Sequence, residues 1–477
     1  MWERFSYYGM RALLVLYLVN GLHWDTPRAA SLYGTYTMLV YLTPLAGGFL
    51  ADRCLGTRQA LVLGGLVIAS GHFCLAFPGQ AAFYLGLLLI IVGTGLFKPN
   101  ASTMVGQLYP DGDPRRDSGF TIFYMGVNAG AALGPLACGV LAASVGWHAG
   151  FAAAGVGMLV GLLVNVWGRD RYLRGIGFRP EPHRSASEPP ASVPGNARVV
   201  PGSLLGAAAG GLLAVLLGGT SALTVAFLAA VGAVMTFTVL GTQGEERRRV
   251  LALFLTAFFV VFFWAAYEQA GSSMNLFADK YTDLSVAGFE VPASLLQSVN
   301  PVLILVFAPA FAGLWNALAK VGREPATPLK MVLGLFLLGV GFVFLVVGGG
   351  RADAGVRVSP LWLVAAYAFH TLGELCLSPV GLSYVSKISP PRFAALLMGS
   401  FFLANAAANK LAGALATFTP VPGESHPLAS GLKGVLQRVS STNRGFYSIF
   451  VASSFAAALL MLLFVPLLRR LTSGVRA

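Results

Sequence analysis

Long runs of apolar residues alternate with short polar segments along almost the whole chain. A helix needs about 20 apolar residues to cross roughly 30 Å of hydrocarbon, so each run of that length predicts one membrane span. The pattern predicts fourteen spans, near residues 5–22, 29–50, 59–77, 80–101, 118–143, 147–167, 203–219, 222–241, 250–271, 293–317, 330–348, 360–386, 392–417 and 445–468. The pair at 203–241 also allows a second interpretation, one hairpin that crosses the bilayer only partly.

One polar segment divides this pattern unevenly. Residues 169–202 are rich in Arg, Pro, Ser and Glu and show no apolar period, a composition that cannot bury a core. We therefore predict six spans, a solvated linker, two spans and six further spans. The predicted domains are an N-terminal six-helix bundle (1–172), a cytoplasmic linker (173–202), an inserted helix pair (203–241) and a C-terminal six-helix bundle (242–477).

Composition supports a chain that faces lipid. Hydrophobic residues make up 56% and charged residues 11% of the chain, whereas soluble domains carry about 25% charged residues. The net charge of +13 is a property shared with nucleic-acid-binding proteins. Here, however, the basic residues lie in short loops between apolar spans and form no solvated face. The predicted partner is the lipid bilayer, and no nucleic acid is expected.

The distribution of Lys and Arg predicts the orientation. One side collects clusters such as Arg115 with Arg116 and the run Arg247 to Arg249, whereas the other side has few basic residues. The basic side is expected to be cytoplasmic. An even number of spans then places both termini in the cytoplasm of a multi-pass protein of the cell (inner) membrane.

Four charged residues well inside predicted spans are candidates for a functional role: Arg11, Lys98, Glu268 and Glu374. A charge in the bilayer is costly, so it usually faces a cavity and has a partner. Two cations in the first half and two carboxylates in the second are what a central cavity with breakable ion pairs needs. The alternative is that the pairs only hold the bundle together, although apolar packing would do so at a lower desolvation cost.

Two further polar residues in spans have simpler interpretations. Lys410 lies near the outer end of its span and can extend to the interface, so we assign it no chemistry. His370 lies one turn before Glu374, and a histidine whose hydrogen bonds are satisfied within the helix bundle is the simpler interpretation. The sequence contains no HExxH, CxxC or P-loop motif. We therefore predict no metal site, no cofactor, no ATP-driven pump and no enzyme.

Several motifs at these positions resemble one family of membrane proteins. They are ERFSYYGMR (Glu3 to Arg11), GGFLADRCLGTR (Gly47 to Arg58), GTGLFKPNAS (Gly93 to Ser102), FYMGVNAG (Phe123 to Gly130), FWAAYEQAGSS (Phe263 to Ser273), QSVNP (Gln297 to Pro301) and GELCLSPVGLSYVSK (Gly373 to Lys387). In this order they resemble the proton-dependent oligopeptide transporter family of the major facilitator superfamily. The resemblance implies an all-α membrane fold, two six-helix bundles around a midplane cavity plus two inserted helices.

The resemblance also implies roles. Arg11 would bind the carboxylate of a di- or tripeptide, and Lys98 would add positive potential. Glu374 would hold the peptide's amino terminus with Asn128 and Asn300. The cavity-lining tyrosines would be Tyr7, Tyr8 and Tyr41, although interfacial anchoring is an equal alternative for Tyr41.

Proton coupling is expected at Glu3, Arg4 and Glu268, with the proton as the coupling ion and no other cofactor. The pairs Arg11–Glu268 and Lys98–Glu374 would form and break between states of an alternating-access cycle. A proton on a carboxylate removes its charge and frees the cation for substrate. The protein is expected to function as a monomer.

The chain departs from the family pattern at two places. The ExxER motif needs a glutamate three residues before Glu3, so we expect either that the natural start lies upstream of Met1 or that one proposed proton carrier is absent. Phe401 stands where the family often has tryptophan, which would reshape a side-chain pocket.

Other functions fit the sequence less well. A nitrate importer of the same fold would not need Glu374 as an ammonium partner. A peptide sensor would require a soluble signalling segment larger than the linker. An uncoupled peptide carrier is the alternative if coupling residues are absent. A membrane peptidase would require a nucleophile–base pair or a metal site.

Overall fold

The computed structural model describes residues 1–109, 113, 115–178, 199–216, 221–286, 288–390, 394–422 and 429–472. Within these ranges the chain forms sixteen α-helices and one short β-hairpin. The helices are α1 (Trp2–Leu16), α2 (Thr26–Leu50), α3 (Thr57–Leu75), α4 (Gln80–Gln107), α5 (Arg115–Ser144), α6 (Trp147–Tyr172), α7 (Val199–Leu216), α8 (Ala222–Leu240), α9 (Gly244–Tyr267), α10 (Ser273–Tyr281), α11 (Val299–Lys320), α12 (Thr327–Asp353), α13 (Leu361–Ile388), α14 (Ala394–Ala416), α15 (Gly431–Val439) and α16 (Asn443–Leu471). The hairpin pairs β1 (Ser285–Val286) with β2 (Phe289–Glu290).

In the described part of the chain each of the fourteen predicted spans falls on a helix, with residues 217–219, 392 and 393 of those spans outside it, and α10 and α15 are two short additions. Ten helical stretches of the described chain are long and apolar enough to cross a membrane. The largest boundary difference is at the ninth span, which was predicted to end at residue 271. There a 3₁₀ turn (Glu268–Gly271) joins α9 to α10, so the helical path continues to Tyr281. Most of the predicted linker, residues 179–198, lies outside the described residues.

The helices form two bundles with an additional pair. Helices α1 to α6 pack on one another, most closely as α3 with α4 and α1 with α5, and α9 to α16 pack mainly through α12 with α13 and α16. A hydrophobic core cluster extends through both bundles. Helices α7 and α8 pack chiefly against each other, and Phe227 of α8 contacts the main body near Met38 and Ala406.

The pair α7 and α8 consists of two separate helices of 18 and 19 residues. At 1.5 Å per residue each is about 27 Å long or slightly more, close to the thickness of the hydrocarbon layer. They approach each other at glycines: a Cβ on Gly206 would lie 2.5 Å from the carbonyl oxygen of Gly232. These lengths favour two spans over a hairpin that crosses only partly.

The two halves pack most closely where α2 crosses α14. A Cβ placed on Gly34 would lie 2.7 Å from the Cα of Gly413, so the two backbones are in direct contact. Nearby, the Lys410 ammonium donates to Thr35 Oγ1 at 2.7 Å. Lys410 therefore bonds to the opposite half, where the sequence predicted only contact with the interface.

Further bonds between the halves lie along α1 and just beyond its C-terminal end. Asn20 donates to Asp279 at 3.0 Å and accepts from Lys280 at 2.7 Å, and Asn275 donates to the carbonyl of Ala12 at 2.8 Å. This is the side predicted to face outward. In the described part of the chain the halves are thus bonded together on that side of the bundle.

Candidate functional site

A buried ion pair joins the two halves at their centre. Arg11 of α1 donates through Nη2 to Glu268 Oε2, and both residues are almost fully buried, 5% and 3% exposed. Arg11 Nε also donates to the Tyr33 hydroxyl at 2.6 Å. The predicted Arg11–Glu268 pair is therefore formed in this conformation.

The end of α9 brings Glu268 to this position. Glu268 is the first residue of the 3₁₀ turn that ends at Gly271. A Cβ on Gly271 would meet the Tyr33 hydroxyl and the Arg11 guanidinium, at 1.8 Å and 3.0 Å. Only glycine allows the backbone to approach the pair this closely.

Glu374 of α13 has a different environment. Its Oε2 accepts from the Tyr267 hydroxyl and from Asn300 Nδ2 at 3.2 Å, and Asn300 also donates to Thr371 Oγ1 at 2.9 Å. Both donors to the carboxylate are neutral, and no ion pair among the described residues involves it. A buried carboxylate without a cation is costly and therefore suited to receiving one.

These groups line a single cavity of about 100 Å³ between the halves. It is lined by a polar and aromatic set: Tyr8, Arg11, Tyr41, Asn128, Trp264, Tyr267, Glu268, Gln297, Asn300, Tyr367, His370 and Glu374. Asn128 is oriented by its own helix, because its Nδ2 donates to the Tyr124 carbonyl at 3.0 Å. The cavity thus presents a guanidinium from one half and a carboxylate from the other.

Lys98 does not pair with Glu374 in this conformation; the predicted Lys98–Glu374 pair is one that would form in another state of the cycle. Its ammonium lies over the Tyr41 ring, 3.7 Å from the centroid, and lines a second cavity of about 410 Å³. The ring face offers the ammonium a favourable electrostatic contact. Glu374 is instead satisfied by Tyr267 and Asn300, so each member of the predicted pair has other partners.

The second cavity also contains the predicted coupling residues at the start of α1. Glu3 and Arg4 form an ion pair at 2.9 Å, and both line this cavity with Lys98. It lies mainly within the first half, on the side where α1 begins. The carboxylate of Glu3 and the cations of Arg4 and Lys98 therefore line one cavity, separate from the central cavity.

The three predicted tyrosines separate. Tyr8 and Tyr41 line the central cavity, whereas Tyr7 is 3% exposed and is not among the lining residues in this conformation. Tyr7 instead contacts Tyr8 edge to face, with ring centroids 5.2 Å apart, and the Arg4 guanidinium lies 5.9 Å from its centroid. Tyr7 is thus placed to support the site without lining it.

Sequence analysis missed Tyr267 and Tyr33, which bond directly to the charged groups. Tyr267 immediately precedes Glu268, so a polar aromatic beside a charged span residue was the available signal for it. Tyr33 lies in α2 with Tyr41 and has no charged residue beside it in the span. His370 lines the cavity and also packs on Phe342, with ring centroids 4.5 Å apart. Among the described residues, no group of three His, Cys, Asp or Glu side chains is arranged to hold a metal.

Comparison with known proteins places this geometry in a family. Residues 58–431 match the POT family. The chain is 42% identical over 428 residues to the uncharacterized transporter YclF of Bacillus subtilis, covering 86% of this chain and 84% of that protein. It is 34% identical over 457 residues to a di-/tripeptide transporter of Lactococcus lactis, covering 91% of each.

Solved structures agree with the sequence comparison. The crystal structure of the peptide transporter POT in complex with sulfate is 37% identical and superposes with a TM-score of 0.79, covering 99% of this chain and 94% of that one. The predicted family and the predicted fold, two six-helix bundles with two inserted helices, are both confirmed. The chain belongs to the POT family and is a multi-pass membrane transporter.

Proposed function

We propose that this protein imports di- and tripeptides together with protons, by alternating access. One observation carries the proposal: a single cavity holds Arg11 from the first half and, from the second half, Glu374 bonded only to neutral donors. A peptide has one carboxylate and one ammonium, which complement these two groups. The name of the Lactococcus lactis relative supports the same substrate class.

The peptide carboxylate would bind to Arg11, since a guanidinium can bind a carboxylate through two parallel hydrogen bonds. Lys98 would add positive potential from the adjoining compartment. Recognition of the carboxylate requires that Arg11 leave Glu268, its partner in the present conformation. Substrate and Glu268 thus compete for one cation.

The peptide ammonium would bind to Glu374 with help from Asn128 and Asn300. All three line the cavity, and Asn300 already contacts the carboxylate. Tyr8 and Tyr41 would contact the peptide backbone and side chains, and Tyr7 would support Tyr8. Because recognition rests on the two charged termini, we expect broad acceptance of side chains.

Proton coupling would use Glu268, with Glu3 and Arg4 as a second exchange site. Protonation of Glu268 removes its charge and releases Arg11, so proton and peptide favour the same state. The halves would then rock against each other around the cavity. The bonds between α1 and α10 would open on the outer side, in an orientation with both termini in the cytoplasm. The site lies within one chain, which supports function as a monomer.

The experiment that tests this substrate class uses dialanine with one terminus blocked at a time. In counterflow on purified protein in liposomes, N-acetyl-dialanine and dialanine amide are each expected to inhibit about thirtyfold less well than dialanine, because a buried charge loses its partner. Equal inhibition by all three compounds would contradict recognition of the charged termini. Glycerol at the same concentration provides an uncharged control solute.

A further inference from the structure

Two consecutive residues at the end of α9 take part in the bonds of the two carboxylates in the cavity, Glu374 and Glu268. Tyr267, the last residue of α9, donates its hydroxyl to Glu374 Oε2. Glu268, the next residue, accepts from Arg11 of the opposite half. One peptide unit thus separates the ion pair between the halves from the hydrogen bond to the proposed ammonium site.

The backbone at the end of α9 is irregular, so it can move when the Arg11–Glu268 ion pair opens. The chain changes there from α-helix to a 3₁₀ turn, and Ser272 beyond it leaves helical geometry, with φ −127° and ψ −93°. Mid-helix 3₁₀ segments often mark hinges. Loss of the Arg11 contact removes the side-chain bond by which Glu268 holds the end of α9 to the first half, while the bonds of α10 to the first half remain.

The Tyr267 ring is tied to the same helix end. It stacks on Phe263 with ring centroids 5.7 Å apart and meets Trp264 edge to face at 5.0 Å. Consecutive helical side chains point about 100° apart and turn together with their backbone. A rotation that moves Glu268 away from Arg11 therefore also moves the Tyr267 hydroxyl relative to Glu374.

Resting on the proposed function, we propose that Tyr267 is a positioning residue that couples the Arg11–Glu268 ion pair to the ammonium site at Glu374. While the pair is closed, the Tyr267 hydroxyl occupies Glu374 Oε2 and competes with the peptide ammonium. When Glu268 loses its charge, Arg11 becomes free for the peptide carboxylate. The same event withdraws Tyr267 and opens Glu374 to the ammonium, so one protonation prepares both ends of the site.

The test described below is done at one fixed pH, so the protonation states of the other groups near Glu268 and Glu374 stay constant. The titratable and charged groups around them are Tyr8, Arg11, Tyr33, Tyr41 and Tyr124 of the first half, with Lys98 in the adjoining cavity, and Tyr267, Tyr367 and His370 of the second half. The charge of Glu268 is changed by substitution, through Glu268→Gln. Any shared effect of the surrounding groups then cancels between variants.

The test is a double-mutant cycle of Tyr267→Phe and Glu268→Gln, read with two ligands. Dialanine amide lacks the carboxylate and reports the ammonium site, whereas N-acetyl-dialanine lacks the ammonium and reports Arg11. Glu268→Gln is expected to tighten dialanine amide about fivefold or more in the wild-type background, a typical coupling. In the Tyr267→Phe background that gain is lost, because the competing hydroxyl is already absent. Glu268→Gln is also expected to tighten N-acetyl-dialanine, because it frees Arg11. This gain persists in both the wild-type and the Tyr267→Phe backgrounds.

Tyr281→Phe is the matched control, since Tyr281 donates to the Pro420 carbonyl at 3.1 Å and does not contact Glu374. It is expected to leave the Glu268→Gln gain unchanged. The inference is overturned if Tyr267→Phe weakens dialanine amide to the same extent with and without the Glu268 charge, which is the result of a purely supporting role. A wild-type protein that binds no dialanine overturns the proposed function, and this inference with it.

Discussion

Glu374→Gln is expected to weaken dialanine binding by about thirtyfold or more. The substitution leaves a neutral amide where a buried ammonium needs a negative charge, and losing one partner of such a pair costs about 2–5 kcal/mol. The amide is nearly isosteric, and Asn300 remains in place to contact it. Equilibrium binding of dialanine to the purified variant measures the effect.

A ligand without an ammonium distinguishes loss of the Glu374 charge from disruption of the site's structure. N-acetyl-dialanine is expected to bind Glu374→Gln and the wild type within about twofold of each other, as for sites that do not interact. Glu290→Gln is a suitable control variant, because Glu290 is exposed on the short hairpin. Weakening of both ligands by the same factor would show that Glu374 supports the fold of the site and does not bind the ammonium.

Glu268→Gln is expected to retain dialanine exchange and to lose concentrative uptake. Glutamine cannot carry the proton, but it leaves Arg11 free for the peptide carboxylate, so binding and counterflow persist. The accumulation ratio under an inward proton gradient should fall to the level of simple equilibration. Uptake and counterflow in the same proteoliposomes measure the two properties together.

Glu245→Gln controls for changes on the same helix. Glu245 lies in the first turn of α9 and forms a surface ion pair with Arg249. The Glu245→Gln variant should accumulate dialanine as the wild type does. Concentrative uptake by Glu268→Gln would remove Glu268 from the coupling mechanism.

The membrane spans could be predicted from the sequence because one physical requirement dominates them. Each apolar run must be long enough to cross the hydrocarbon, and every predicted run lies on a helix. The ninth span was predicted too short: it was expected to end at residue 271, whereas the helical path continues to Tyr281 and includes Asp279 and Lys280. In the fold these polar side chains bond to Asn20 across the halves, so the helix continues where hydropathy alone indicates its end.

The charged residues of the site were visible for a similar reason, the high cost of a charge in lipid. Which charges pair was only partly predictable. Arg11 does bond to Glu268, but Lys98 lies on Tyr41 while Glu374 is held by neutral donors, a choice that depends on three-dimensional distances. Tyr267 was missed because an aromatic residue in a span is usually explained by packing, and its hydroxyl partner is 107 residues away in sequence.

The most direct test of proton-coupled peptide import is uptake of labelled dialanine into proteoliposomes under an inward proton gradient, with and without an uncoupler. We predict accumulation above the external concentration, and its collapse when the uncoupler is added. Uptake that reaches only equilibration, and that the uncoupler leaves unchanged, would contradict coupling.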